Sequence, residues 1–313
     1  MKLSQFRDVV AIAERGSLRA AARDIKLSQP ALTRSIRELE RELGSPLFER
    51  HAVGMVLTPI GDAFVQRAKA VLSEVRRARE EAEQLHGGTR GSVVAGLSIA
   101  AHIALLPDAV RPFYARYPNV RLNFIEGFFP TLEARLRDGS IDFYVGPRSE
   151  RTLPPDLVEE HLFDNLRTIL GRKNHPLASA KSLKDLGEAE WATTSITLRA
   201  EEELGELFEK HGLPAPRLAL QTHSALTLII CLAHSDLLAM VPIQWIDFGI
   251  TADALCPIPV EESLSAPTIV MVRRAGLPLT PAAEFLADLI RKKVPGAVQK
   301  IAKIAPRRRS GRS

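Results

Sequence analysis

Apolar residues recur at spacings of three and four through the first 45 residues, which places them on one face of successive helices. The pattern predicts three helices, with apolar faces Leu3, Phe6, Val9, Val10 and Ala13; Leu18, Ala21, Ala22 and Ile25; and Leu32, Ile36, Leu39 and Leu43. Ser28 can cap the third helix, and Pro30 fits its first turn, where a missing N–H costs nothing. The second and third helices flank a break at 26–28 and predict a helix-turn-helix.

The segment SPLFERHAVGMVLTPIG predicts a two-stranded hairpin that turns at Gly54 and forms the wing of a winged helix-turn-helix. A single long helix is then predicted from Thr58 and Pro59 to His86. Its apolar residues are spaced alternately by four and three, as in a heptad seam: Phe64, Ala68, Val71, Val75, Ala78, Ala82 and Leu85. The seam predicts pairing with a second copy of the chain; the alternative is packing on its own domain.

After the glycine-rich segment 87–91, interpreted as a flexible hinge, short apolar strands alternate with helices. Strands are predicted at 92–97, 120–125, 141–145, 168–170, 192–194, 218–221, 237–241 and 268–272, and helices at 102–117, 132–137, 200–211, 225–233 and 282–290. The alternation predicts a parallel α/β sheet with enough material for two lobes. Ligands of such sheets bind beyond the carboxyl ends of the strands, where the candidates are 98–102, Phe128, Phe129, 146–148, 195–199 and 222–224.

The polar start of the third helix carries Gln29, Thr33, Arg34 and Arg37. Gln can pair with adenine and Arg with guanine in the major groove, while Thr can meet a thymine methyl group or a phosphate. This helix is therefore suited to DNA recognition. The alternative is an amphipathic hairpin whose charges only keep it soluble.

The charge is distributed unevenly over the 313 residues, whose formal net charge is +5. Residues 1–87 carry fifteen bases against twelve acids, and residues 291–313 carry nine bases and no acid. The basic first block fits a DNA-binding module, because neutralised phosphates release counterions. The acidic middle of the chain argues against non-specific nucleic-acid binding there. The basic end predicts a disordered tail, either solvated or adding affinity for DNA.

Motifs for catalysis or metal binding are missing from the sequence. It has no glycine-rich phosphate loop, nucleophile elbow, paired metal-ligand histidines or clustered cysteines. Cys231 and His234 lie three apart on a predicted helix, but their apolar surroundings favour core packing. We therefore expect no enzyme, no cofactor and no metal. A solute-binding protein would leave the helix-turn-helix unexplained and would need an export leader, which we do not find.

The pattern GSLRAAARDIKLSQPALTRSIRELERELGSPLFER resembles LysR-type transcriptional regulators, as do VLTPIG, FYARYPNV, LRDGSIDFYVG and AHSDLLAMVP. The resemblance covers nearly the whole chain. It implies an N-terminal all-α winged helix-turn-helix with a long linker helix, and a C-terminal α/β, two-lobed, periplasmic-binding-protein-like effector domain. It also implies a sequence-specific regulator controlled by a small molecule bound between the lobes. The expected molecule is an organic anion, and an aromatic anion is the narrower version of this expectation.

The implied domains are a DNA-binding domain at 1–58, a dimerisation helix at 59–87, an effector domain at 88–294 and a basic, disordered tail at 295–313. Lobe I is expected at about 91–161 and 267–294, and lobe II at about 162–266.

DNA contacts are implied or expected at Ser17, Arg19, Ser28, Gln29, Pro30, Thr33, Arg34, Arg37 and Arg50. The family usually places an Arg in the wing where this chain has Val53, so one minor-groove contact is missing and His51 or Arg50 is left as a substitute. Effector contacts are expected at Ser98, His102, Phe128, Phe129, Ser195, Thr197, Arg199 and Thr222. Dimerisation is expected along the seven residues of the heptad seam.

The resemblance further implies a dimer, and usually a tetramer, that binds double-stranded promoter DNA of interrupted two-fold symmetry and acts on RNA polymerase. An effector would shift the balance between two states through its differential affinity for them. With neither a leader nor a membrane segment, we expect a cytoplasmic, nucleoid-associated protein. The stretches AHSDLLAMVP and PTIVMVRRAGLPLTPAA resemble the subgroup that includes a regulator of toluenesulfonate degradation, which suggests an aromatic sulfonate or carboxylate.

Overall fold

The structure, a computed structural model, describes residues 1–51, 54–194 and 200–304. Its N-terminal domain contains α1 (Leu3–Arg15), α2 (Leu18–Asp24), α3 (Gln29–Leu43) and the hairpin of β1 (Phe48–His51) and β2 (Gly54–Leu57), followed by α4 (Pro59–Leu85). Gly16 and Gly44 end α1 and α3 in the left-handed conformation, which costs glycine little. Hence the three predicted helices, the wing and the long helix are all present.

One apolar core holds this domain together. Val9, Ile12, Leu32 and Leu39 are completely buried in it. The wing packs on the turn between α1 and α2, where the Met55 N–H donates to the carbonyl of Gly16 at 2.9 Å.

Lobe I of the second domain contains four of the eight predicted strands and three of the five predicted helices. It comprises β3 (Arg90–Leu97), α5 (Ile99–Leu105), α6 (Pro107–Arg116), β4 (Asn119–Glu126), α7 (Phe129–Arg137), β5 (Phe143–Pro147), β6 (Leu157–Phe163), β12 (Ile269–Arg274) and α11 (Pro281–Ile304). Its sheet has the order β4-β3-β5-β12-β6. Strand β3 pairs in parallel with β4 and β5, and β12 runs antiparallel to both of its neighbours, β5 and β6. The prediction of a parallel sheet is thus wrong for β12, which runs opposite to the other four strands.

Lobe II is formed by the chain between β6 and β12. It comprises β7 (Arg167–Arg172), β8 (Glu190–Thr193), α8 (Ala200–Lys210), β9 (Arg217–Gln221), α9 (Ala225–Ala233), β10 (Ala239–Pro242), α10 (Gly249–Ala252) and β11 (Leu255–Ile258). Strands β10, β7 and β11 form an antiparallel sheet, whereas β8 and β9 are parallel. The chain crosses between the lobes at 164–166 and again at 259–268, and the two crossings pair at Leu166 and Ser265.

Two helix predictions need correction. The helix predicted at 102–117 is divided into α5 and α6 at Leu106, next to Pro107, because proline lacks the N–H that would continue the ladder. The disorder predicted for 295–313 is wrong for 295–304, which continue α11 through Pro295. Ala297 and Ile301 are buried in the core of lobe I, and that burial holds the extension in place. Residues 305–313 lie outside the described residues.

Helix α4 has two unlike faces. Arg77 and Gln84 are buried against lobe I, with 4% and 6% exposure. Val71 and Leu85 of the heptad seam are 39% and 71% exposed. In the second half of α4 these polar residues therefore lie inward in the single chain and the apolar stripe lies outward. The seam prediction is wrong for Phe64 and Ala68, because Phe64 stacks on Phe6 of α1 and Ala68 is completely buried within the single chain. Within the described part of the chain, no helix combines the length and apolarity needed to cross a bilayer.

Candidate nucleic-acid interface and ligand cleft

Helix α3 presents its N-terminal polar face to solvent. Gln29, Pro30, Arg34 and Arg37 are exposed, and Thr33 is half-buried. The opposite face is packed into the core through Leu32, Ile36 and Leu39, so the helix cannot turn its polar side inward.

Hydrogen bonds fix the position of α3 in the domain. The Ser35 hydroxyl donates to the buried carboxylate of Asp8 on α1 at 2.5 Å. At the other end, Glu40 accepts from the N–H groups of Leu47 and Phe48, at 2.8 and 3.3 Å, and so joins α3 to the wing. The face is thus supported by α1 on one side and the wing on the other.

The small hydroxyl residues near α3 serve as helix caps. Ser28 accepts from the Ala31 N–H at 3.3 Å, and Ser17 accepts from the Ala20 N–H at 3.5 Å. The Thr33 hydroxyl donates to the Gln29 carbonyl at 2.9 Å. These caps orient the first turns of α2 and α3, whose free amides favour an anion such as phosphate.

The arginines on and beside this face have no acidic partner in the part of the chain that the structure covers. Arg19, Arg34, Arg37 and Arg50 are all exposed, and none lies within ion-pair distance of an acid that the structure describes. By contrast, Arg15 on α1 is paired with Asp24 at 2.6 Å. The guanidinium groups of Arg19, Arg34, Arg37 and Arg50 are therefore available to bind phosphates or base edges. Val53 lies outside the described residues.

Between the two lobes lies a cleft with a volume of about 780 Å³. Lobe I lines it with residues that follow β3, β4 and β5: Ser98, Ile99, Ala100, Phe128, Phe129, Pro130, Pro147, Arg148, Ser149, Glu150 and Arg151. The crossings and lobe II add Asn165, Arg167, Trp191, Ala192, Thr193, Thr194, Glu203, Leu204, Met240, Pro242, Ala266 and Pro267. The cleft is large enough for an organic molecule of moderate size.

Three arginines give the cleft its polar character. Arg148 pairs with Glu159 at 2.7 Å, and Arg167 pairs with Glu203 at 3.0 Å. The Arg151 side chain is exposed and has no acidic partner among the residues described. The cleft therefore offers at least one uncompensated guanidinium group to an anionic ligand.

Apolar side chains form the other part of the wall. Phe128 is half-exposed, whereas Phe129 is buried and meets Tyr144 edge to face with ring centroids 5.9 Å apart. Burial raises the pKa of Tyr144 far above its ordinary value, so its hydroxyl stays protonated. On the lobe II side the half-buried Met240 lines the cleft, whereas the neighbouring Trp191 is completely buried in the core of that lobe. An aromatic or aliphatic body can pack against these groups.

The predicted effector residues divide into three groups. Ser98, Phe128 and Phe129 line the cleft. Ser195, Thr197 and Arg199 lie outside the described residues. His102 and Thr222 do not line the cleft in the part of the chain that the structure covers.

The positions of His102 and Thr222 explain this separation. The His102 ring lies near the edge of Phe124, with centroids 6.4 Å apart, and burial lowers its pKa. Thr222 stabilises a turn, since its N–H donates to the Thr193 carbonyl and its hydroxyl accepts from the Ser224 N–H. Both residues have structural contacts.

Sequence reasoning missed the cleft residues at the start of β7. Arg167 is the first residue of that strand, and Asn165 lies in the crossing before it. Because β7 is antiparallel to β10, its amino end meets the carboxyl end of β10, with Arg167 opposite Pro242. The rule that ligands bind beyond the carboxyl ends of strands applies to parallel sheets, so it did not identify this edge.

Comparison with known proteins decides the family. A family model described as "LysR substrate binding domain" matches residues 86–295. A second, described as "Bacterial regulatory helix-turn-helix protein, lysR family", matches residues 3–62. The chain belongs to the LysR family. It is therefore a DNA-binding transcriptional regulator with a substrate-binding domain, as its relatives are named, and not an enzyme.

Individual relatives cover most of this LysR protein. It is 30% identical over 284 residues to the HTH-type transcriptional regulator GalR of Pseudomonas putida, spanning 90% of this chain and 72% of that protein. It is 31% identical over 294 residues to the SDS degradation transcriptional activation protein of a Pseudomonas species, spanning 92% and 95%. These matches confirm the family expected from the sequence.

Solved structures confirm the fold class of the LysR chain. The crystal structure of CbnR, a LysR family transcriptional regulator, superposes with a TM-score of 0.67 and covers 94% of this chain and 99% of that one, at 20% identity. Full-length CbnR complexed with its target DNA matches with the same TM-score, over 94% and 100%.

Proposed function

We propose that this LysR regulator recognises promoter DNA through the start of α3 and is controlled by a small organic anion in the cleft between its lobes. Gln29 and Arg34 contact base edges, with Pro30, Thr33 and Arg37 beside them. Ser17, Arg19 and Ser28 contact phosphates, and Arg50 of the wing reaches the neighbouring backbone or groove. The observation that carries the proposal is that Gln29, Arg34 and Arg37 are exposed, without acidic partners among the residues that the structure describes, on a helix whose other face is buried.

Substitution on α3 tests the base-reading assignment. Gln29→Ala and Arg34→Ala should each weaken specific binding by about 1–3 kcal/mol and leave non-specific binding nearly unchanged. The operator comes from recovering the genomic DNA bound by the purified protein. Arg41→Ala is the matched control, because Arg41 is exposed in the last turn of the same helix. An unchanged ratio of specific to random binding in both variants would refute the assignment.

The regulator is expected to act as a dimer joined along the seam of α4, with a tetramer formed from two dimers. Support comes from the exposure of Val71, Ala78, Ala82 and Leu85 on one apolar stripe. Two joined recognition helices read two half-sites, which agrees with an operator of interrupted two-fold symmetry. Such a protein works beside RNA polymerase on the nucleoid, in the cytoplasm. The proposed domain limits are those predicted above, except that α11 belongs to lobe I up to Ile304.

The proposed effector is an organic anion with an apolar body. In the narrower form of the proposal this body is aromatic. The guanidinium of Arg151 and the apolar surfaces of Phe128 and Met240 support this chemistry. The name of one relative connects it with degradation of SDS, which is itself an anion with an apolar body.

Thermal unfolding with small probes tests the effector class. Benzenesulfonate and benzoate should raise the melting temperature, whereas the neutral isostere benzamide should not. Arg151→Gln should reduce the rise in melting temperature caused by the two anions. Arg121→Gln, a substitution at an exposed residue of β4 away from the cleft, should leave that rise unchanged. Equal stabilisation by the neutral probe would refute an anionic effector.

A further inference from the structure

A pair of buried amide side chains lies where the chain first crosses between the lobes. Asn165 of that crossing lines the cleft and is 6% exposed. Gln244 is 8% exposed and belongs to a short 3-10 helix (Ile243–Asp247) that follows β10. The Nε2 of Gln244 donates to Oδ1 of Asn165 at 2.6 Å. The pair thus joins the crossing to lobe II beside the cleft.

The bond from Gln244 determines which end of the Asn165 amide faces a ligand. Because Oδ1 accepts from Gln244, the nitrogen Nδ2 is turned the other way. Nδ2 has no acceptor among the residues that the structure describes, and it is not one of the atoms that are both completely buried and unpartnered. Its open surface therefore lies on the cleft, and Asn165 offers a hydrogen-bond donor there.

The backbone on either side of this donor is held in place. The Leu166 carbonyl accepts from the Ile243 N–H at 3.0 Å, and the Arg167 N–H donates to the Leu264 carbonyl at 2.9 Å. Asn165 therefore has a fixed position as well as a fixed orientation.

The cleft wall beside this donor is apolar. Leu166 and Ser265 pair as an antiparallel bridge, which places Ala266 beside Asn165. Ala266 and Pro267 also line the cleft. A ligand that fills the cleft displaces water from Nδ2, and a donor buried without an acceptor weakens binding by about 5- to 150-fold. Sites built to form such a bond therefore reject ligands that lack the matching group.

The donor is separate from the uncompensated guanidinium group of Arg151. Pro147 at the end of β5 and Phe163 at the end of β6 both lie opposite Ile269 of β12. These strand ends are two strand spacings, about 9.5 Å, apart. Arg151 follows the first end and Asn165 the second. A ligand whose anionic group pairs with Arg151 therefore meets Asn165 with another part of its body.

We propose that the effector carries a neutral oxygen acceptor in addition to its anionic group, and that Asn165 donates a hydrogen bond to this oxygen. Gln244 is the positioning residue, because its own bond keeps Nδ2 of Asn165 turned to the cleft. The inference rests on the proposed function, in which an organic anion occupies the cleft. It narrows the effector to anions that also bear a carbonyl, hydroxyl or similar oxygen.

Isothermal titration calorimetry of the full-length protein compares acetylbenzoates with isopropylbenzoates, which have nearly the same shape but lack the carbonyl oxygen. Each pair is measured with the substituent ortho, meta and para to the carboxylate. At one ring position at least, the acetyl compound should bind about 5- to 150-fold more tightly than its isostere. Equal affinities within all three pairs would overturn the proposal.

Substitutions assign the preference to the amide pair. Asn165→Ala should abolish the preference for the acetyl compound, and Asn165→Asp should reverse it, because a carboxylate repels the carbonyl oxygen. Gln244→Met keeps the side-chain length but not the donor, so the preference should weaken. Asn123→Ala, at an exposed residue of β4 away from the cleft, should keep the full preference. A preference that survives in Asn165→Ala contradicts the assignment; if that variant does not fold, Gln244→Met and the wild type provide the comparison.

Hydrogen exchange of the side-chain amides, followed by NMR without any ligand, gives an independent result. The Gln244 amide, buried and bonded to Asn165, should exchange slowly, whereas the Asn165 amide should exchange rapidly with water in the cleft. The opposite order would mean that Asn165 donates to Gln244, and the proposal would then be wrong. If none of the benzoates binds, the proposed aromatic anion fails, and the order of exchange still decides whether Asn165 turns a donor to the cleft.

Discussion

Truncation of Leu85 offers a sharp test of the seam along α4. Full burial of a leucine side chain is worth about 1.5–3 kcal/mol, and 71% of Leu85 is exposed in the single chain. Burial of that fraction in a dimer would contribute about 1–2 kcal/mol per copy, and about 2–4 kcal/mol for the two copies. Leu85→Ala removes three of the four side-chain carbons and should lose about 1.5–3 kcal/mol of this, which raises the dimer dissociation constant by about 10- to 150-fold.

Sedimentation equilibrium over a range of protein concentrations measures this change directly. Leu277→Ala is a suitable control, because Leu277 is also partly exposed, at 38%, but lies after β12, far along the chain from the linker helix. A dissociation constant for Leu85→Ala that equals that of the control would show that the stripe is not an interface. Charges placed at Val71 and Val75 should dissociate the dimer more severely, since two like charges would then face each other.

Three further substitutions test the fold. Ile301→Ala should lower the free energy of unfolding by about 2–3 kcal/mol in urea, near the lower end for buried isoleucine; a loss below about 0.5 kcal/mol would show that the end of α11 is not docked. Gly61→Ala should destabilise the fold by about 1–3 kcal/mol, because a Cβ there would lie 2.0 Å from the Leu47 carbonyl oxygen. Gly249→Ala is the control, since a Cβ at that position meets open space and should leave stability unchanged. The lowered pKa of His102 means that the unfolded chain binds the proton more tightly, so stability should fall as pH drops below about 6.5. The urea midpoint of His102→Gln should not show this dependence on pH. An equal slope of midpoint against pH in the variant and the wild type would contradict the prediction.

The sequence pattern predicted the N-terminal domain well because its signals are local. Caps at Ser17, Ser28 and Thr58 and stops at Gly16 and Gly44 act within a few residues, and all are present in the structure. In the second domain the unpredicted strands are β6 and β11. β6 lies at a sheet edge and exposes four consecutive residues, so it lacks the apolar run of a central strand. Its position in the sheet depends on pairing with β12, which lies more than a hundred residues later in the chain.

The candidate sites show the same division. The polar face of α3 follows from helical spacing alone, because every member lies within nine residues. The cleft combines loops from both lobes, and its arginines at 151 and 167 follow no motif in the sequence. The heptad pattern of α4 gives no sign that two of its polar residues, Arg77 and Gln84, are buried. Periodicity distinguishes apolar from polar positions, but it does not show when a buried charge has found partners sixty residues away.

The placement of β12 has a consequence for synthesis of the protein. This strand lies between β5 and β6 in the sheet of lobe I, yet it is made after the whole of lobe II. The DNA-binding domain and the start of α4 emerge about 200 residues earlier, which at ordinary translation rates is about 10–40 s. During that interval the nascent chain carries a folded DNA-binding domain and an effector domain whose sheet lacks a central strand. Messages cut short before residue 269 would therefore yield fragments that retain the helix-turn-helix but cannot respond to a ligand, and such fragments would compete with the intact regulator for its operators.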